Sequence, residues 1–164
     1  MILFNRITSG NSTAKLRLNN DSGSNYALRV NNNGGTDATS TSSDLWNQQH
    51  YSQNHPSFWI GHFANLASKE KIGIGNLVSR SNSGAGYAPN RSDIVYKWAN
   101  TSDVISQFNF FNDGTGSYAE GSEVVVLGYD PDDTHTDNFW EELASVELSS
   151  AGDNLGSGTF TAKK

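Results

Sequence analysis

The sequence predicts an all-β protein, a β-sandwich of jelly-roll type with long polar loops. Three observations carry that expectation. Short apolar stretches recur along the 164 residues, each bounded by clusters of Gly, Asn, Ser and Asp. Within several of them apolar and polar residues alternate, the pattern of a half-buried strand. Helix-forming stretches are scarce: the best, SDLWNQQHYSQ from Ser43 to Gln53, supports no more than one short turn.

In chain order, strands are expected near residues 2–7, 14–19, 26–31, 58–66, 71–78, 94–98, 104–111, 123–129, 143–148 and 158–162. Leu16 and Leu18 alternate with Lys15, Arg17 and Asn19. Phe108 and Phe110 alternate with Gln107 and Asn109, until Phe111 breaks the pattern. NNDSGSN, after Leu18, is a strong turn signal between two such strands. In 123–129, four apolar residues stand in succession, Val124 to Leu127, so both faces of that strand carry hydrophobic side chains. FWIGHF, from Phe58, has the same character. One face meets the core, and the other needs a loop or another subunit to cover it. Residues 32–56 and 79–92 read as long loops, of the kind that in compact domains are functional or packed on a neighbour.

Composition narrows the function. Hydrophobic residues are 35% of the chain and charged residues 17%, the balance being largely Asn, Ser, Thr and Gly. Four Trp, six Tyr and eight Phe are enough to fill a small core. A net charge of −6 without a basic cluster argues against nucleic-acid binding, which depends on Lys and Arg neutralising phosphates. The absence of cysteine excludes disulfides and thiolate metal sites. No apolar run reaches membrane-spanning length, and MILFNRI lacks the layout of a signal peptide.

Catalytic patterns are missing. There is no GxSxG elbow, no Walker-type loop and no histidine pair at helical spacing. GIGNLV, from Gly73, lacks the third glycine of a dinucleotide loop, and its glycines read as room for close strand packing. His62 is expected to share a face with Ile60, partly buried and hydrogen-bonded. The chain is therefore expected not to be an enzyme and to need no cofactor. One candidate cation site stands apart. Asp130, Asp132, Asp133, His135 and Asp137 form an acidic turn whose oxygens suit Ca2+. Its spacing fits the calcium-loop template poorly, with Thr134 and His135 where an acidic or amide residue and a glycine belong. A solvated turn is the favoured reading. Trp46 and Tyr51 are candidates for stacking on a host glycan. Trp59, Trp98, Phe108, Phe110, Val124 and Val126 are expected in the core or at an interface.

Three longer stretches carry a resemblance. LNNDSGSNYALRVNNNGGTDATSTS, GAGYAPNRSDIVYKWANTSDVISQF and GSEVVVLGYD together resemble a family of virion structural domains of tailed bacteriophages and related viruses, including marine ones. The resemblance covers most of the chain and rests on an asparagine-rich hairpin, the KWANTS strand and the GSEVVVLG strand. It implies a β-sandwich, often tandemly repeated, in tail, fibre or head-associated proteins. It implies a capsid, decoration, tail or fibre component that works by assembling with itself and with other virion proteins, and it implies no catalytic residues. A glycan-binding module of a fibre or cell surface is the alternative. In such tandem chains a segment resembling FWEELASVELSSAGDNLGSGTFTAKK precedes a strand resembling MILFNRITSG, whereas here it follows. Residues 1–138 are thus expected to form the sandwich body. Residues 139–164 are expected either to complete it or to exchange with a neighbouring subunit.

Overall fold

A computed structural model describes residues 1–47, 54–129 and 140–162. Among these residues every regular element is a strand, and all the pairings are antiparallel. In chain order they are β1 (Ile2–Arg6), β2 (Thr8–Ser9), β3 (Ala14–Leu18), β4 (Tyr26–Asn32), β5 (Ala38–Ser43), β6 (Trp46–Asn47), β7 (Ser57–Ala64), β8 (Lys71–Ser79), β9 (Asn90–Trp98), β10 (Phe108–Asn112), β11 (Ser117–Tyr118), β12 (Glu123–Gly128), β13 (Glu141–Glu147) and β14 (Asn154–Gly156). An eight-stranded sheet runs β13-β12-β1-β7-β8-β9-β4-β5. A four-stranded sheet runs β14-β10-β3-β6, and β11 pairs with β2.

Aromatic side chains hold the two larger sheets together. Phe4 of β1 and Trp59 of β7 meet Phe110 of β10, with ring centroids 4.3 and 5.6 Å apart. Trp46 of β6 stacks on Phe63 of β7 at 5.5 Å and leans on Tyr96 of β9 at 4.8 Å. Leu16 and Leu18, predicted to alternate inward, are fully buried. The ring cluster needs glycine beside it, on β7 itself and on the neighbouring β8. A Cβ on Gly61 would stand 2.2 Å from the Trp59 ring, one on Gly73 2.4 Å from Phe63, and one on Gly75 2.8 Å from both Trp59 and Tyr96. Flat rings lie across bare backbone, which gives the glycines of GIGNLV a packing role.

The motifs quoted above meet one another in space. In NNDSGSNY, Asn19 and Asn20 take the left-handed conformation that asparagine tolerates (φ 51° and 57°). The Asp21 carboxylate then accepts hydrogen bonds from Gly23 N at 2.8 Å, Asn25 Nδ2 at 2.9 Å and the Trp98 indole of KWANTS at 2.7 Å. Ala99 N donates to Asn25 O at 2.8 Å. In GSEVVVLG, the Ser122 hydroxyl accepts from Ile7 N and donates to Ile7 O, both at 3.0 Å.

Several boundaries differ from expectation. Residues 38–43 form β5 inside a predicted loop, and β9 begins at Asn90 rather than 94. Residues 104–107 are not a strand: side chains replace the ladder there, with Ile105 N donating to Asn65 Oδ1 and Ser106 N and Gln107 N to Asn19 Oδ1. Near the C-terminus the strand is 154–156, and 158–162 follows without regular structure, although Phe160 stacks on Phe108 at 6.0 Å. Within the 139–164 segment, β13 pairs with β12 and β14 with β10 of the same chain.

Candidate functional site

Each strand of the eight-stranded sheet sends alternate residues to opposite faces. The inward set is the core. The outward set is the unusual one. Register places Glu147, Glu123, Asn5, Phe58, Val78 and Arg91 in one row across six strands. The next row runs Ser145, Val125, Leu3, Ile60, Asn76, Asp93 and Asn31. Beyond it lie His62, Ile74, Val95 and Arg29, then Ala64, Ile72, Lys97 and Ala27.

Apolar side chains therefore occupy the middle of this outer face from β12 to β9. Phe58 is 41% exposed, Ile74 57% and Ile72 60%, and Val78 and Val95 are nearly half exposed. At one corner Phe58 and Val78 line a groove with Pro56, Tyr87 and Pro89. Single exposed hydrophobics are ordinary, but a contiguous group is not, because water is left facing apolar surface that a partner could remove from it.

Charge is distributed unevenly around that centre. On the β4–β9 side each cation has a carboxylate neighbour: Arg29 with Asp37 at 3.2 Å, Arg91 with Asp93 at 3.6 Å and Lys97 with Glu70 at 3.6 Å. On the opposite side Glu123 and Glu147 stand directly across from each other. No ion pair among the described residues involves either of them. Like charges in that position repel.

The sequence-predicted residues fall elsewhere. Trp59, Trp98, Phe108, Phe110, Val124 and Val126 are all in the core, each at most 3% exposed. Trp46 is fully buried, its indole N–H donating to Ala27 O at 2.9 Å, so in this fold it offers no surface to a sugar. Tyr51 lies outside the described residues, as do Asp130, Asp132, Asp133, His135 and Asp137. His62 shares the outer face with Ile60 as expected but is exposed rather than partly buried. Phe58 belongs to FWIGHF, whose two apolar faces were expected to need cover, whereas Ile72, Ile74, Val78 and Val95 carry no such expectation from the sequence. The signal available was the one that FWIGHF and VVVL gave, apolar residues on both faces of a strand, and in β8 the same signal was obscured by glycines.

Among the described residues no group of three or more His, Asp and Glu could hold a metal ion. Two buried cations are structural in their contacts. Arg6 donates to Ser12 O at 2.9 Å and His55 O at 3.2 Å. Lys71 Nζ donates to Lys69 O at 2.8 Å and Asn100 O at 3.1 Å and sits over the Trp98 ring. Desolvation pulls the Lys71 amine below its ordinary range, with Asp103 opposing. A cavity is lined by Phe63, Ile105, Phe108, Val126, Leu143 and Phe160 among others, with His62 and Asn65 as polar members, and no carboxylate is among the described residues that line it. Comparison with models of protein families, with curated proteins and with solved structures returned no match.

Proposed function

We propose that this chain is a structural protein of a virus particle, a capsid, decoration, tail or fibre component of a bacteriophage or related virus, and that it acts by subunit assembly without catalysis. The observation that carries this reading is the exposed apolar face of the eight-stranded sheet, a surface whose burial would stabilise an assembly. The resemblance in the NNDSGSNY, KWANTS and GSEVVVLG stretches supplies the virion setting. We read the fold more finely as a jelly-roll type of sandwich, a reading supported by a chain that passes repeatedly between the two larger sheets and by the pairing of β1 with the distant β12. The partners would be further copies of the chain and other virion proteins.

Sedimentation of the whole chain over a wide concentration range tests the assembly reading. Concentration-dependent growth in mass is expected. A monodisperse monomer at several hundred micromolar would overturn it.

A further inference from the structure

We infer that the outer face of the eight-stranded sheet docks on the same face of a second copy, about a two-fold axis running along β7. The inference deepens the assembly reading and rests on it.

The row Glu123, Asn5, Phe58, Val78, Arg91 is the basis. Phe58 on β7 is its centre. β12 and β9 lie two strands away on either side, and β1 and β8 one strand away. A two-fold axis along β7 carries β12 of one copy onto β9 of the other. Phe58 then faces Phe58, Asn5 faces Val78, and Glu123 faces Arg91 of the second copy, twice by symmetry. The contact is isologous and closes on itself as a dimer. It brings a cation to the Glu123–Glu147 pair, the one place on the face where two like charges oppose each other without an ion-pair partner among the described residues.

Size is consistent with the geometry. β7, β8 and β9 each carry four outward positions in these rows and β12 and β1 two each; with strands about 4.8 Å apart and rows about 6.8 Å apart, the patch covers on the order of 500 Å². With a rim from β4, β13 and the loop carrying Tyr87, this approaches the ~800 Å² that each partner contributes to a standard interface. Apolar residues predominate in the middle, with Asn76 and His62 among them, and charged ones lie at the edge, close to the usual anatomy of such a contact.

The test uses four variants of the whole chain and sedimentation equilibrium, with circular dichroism and thermal melting to verify folding. The three substituted positions are exposed or half-exposed and lie outside the core. Ile74→Lys is expected to leave a folded monomer. Arg91→Glu and Glu123→Arg are each expected to weaken association about tenfold, because each sets like charges against each other. The double variant Arg91→Glu/Glu123→Arg is expected to recover most of that loss. A double variant no better than either single one overturns the two-fold stacking, as does growth past the dimer into open polymers that ignore the charge changes. Wild-type association that none of the four variants alters overturns the docking surface but leaves the assembly reading standing. A wild-type monomer overturns both.

Discussion

The two faces of the eight-stranded sheet are built from the same strands and the same residue classes, yet they do opposite things. On the inner face Trp59, Tyr96, Trp98, Ile94 and Leu77 are nearly or completely inaccessible, and Gly61, Gly73 and Gly75 leave the gaps that the rings fill. On the outer face, one residue along each strand, Phe58, Ile72, Ile74 and Val95 stand in solvent. Hydrophobicity alone does not distinguish the faces. The difference is complementarity: the inner face has the four-stranded sheet to interlock with, and the outer face has no such layer within the described chain.

That contrast can be broken deliberately. The largest effect is expected inside: Trp59→Ala removes a ring that touches Phe110, Tyr96 and Phe63 and should cost about 3–5 kcal/mol in denaturant unfolding. Loss of less than about 1 kcal/mol would mean that the ring cluster is looser than its contacts imply. Adding one methyl group tests the same packing from the opposite direction. Gly61→Ala places a Cβ 2.2 Å from the Trp59 ring and should cost about 1–3 kcal/mol, measured in the same way.

A smaller effect is expected at the hairpin that closes over Trp98. Desolvation favours the neutral Asp21 carboxyl, but hydrogen bonds from Trp98, Asn25 and Gly23 outweigh it and hold the group below its ordinary value of 3.8. A depressed carboxyl stabilises the fold above the unfolded-state value, and that contribution is lost as pH falls through the folded-state value. Stability should therefore drop below pH 3.8, and Asp21→Asn should flatten part of that acid limb while costing some stability at neutral pH. An unchanged acid limb would show that the ring nitrogen of Trp98 does not prefer the carboxylate.

The smallest effect is expected outside. Ile74→Thr keeps a β-branched side chain on an exposed strand position and should change the stability of dilute protein by no more than about 0.5 kcal/mol. A loss of several times that value would show that the outer face is covered within the monomer, and the contrast between the faces would disappear.

Much of this arrangement was legible in the residues. The alternation in AKLRL and FNF placed Leu16, Leu18, Phe108 and Phe110 inward, because a strand repeats every second residue on a face, although in β10 Asn109 between the two rings is buried as well. NNDSGSNY announced its turn through residues that tolerate positive φ and cap their own backbone. Other parts were not legible. β5 consists of ATSTSS, which has no apolar alternation to reveal it, and it exists because β4 presents an open edge for Leu28, Arg29 and Val30 to pair with. Residues 104–107 have strand composition, but their backbone groups are taken by the side chains of Asn19 and Asn65. Trp46 resembled a surface aromatic beside a polar loop until β3 drew it into the core.

The sequence by itself determined the all-β class, the turn at NNDSGSN, the packing role of the glycines in GIGNLV and the inward residues of the alternating strands. Each of these depends on local stereochemistry or on the two-residue period, both written in adjacent positions. Only the tertiary structure decided which strands became neighbours, that Asp21 would receive the Trp98 indole, and that Phe58, Ile74 and Val95 would gather on one face with Glu123 and Arg91 at its two sides. Those are facts of register between segments far apart in the chain, and no single strand carries the information that sets them.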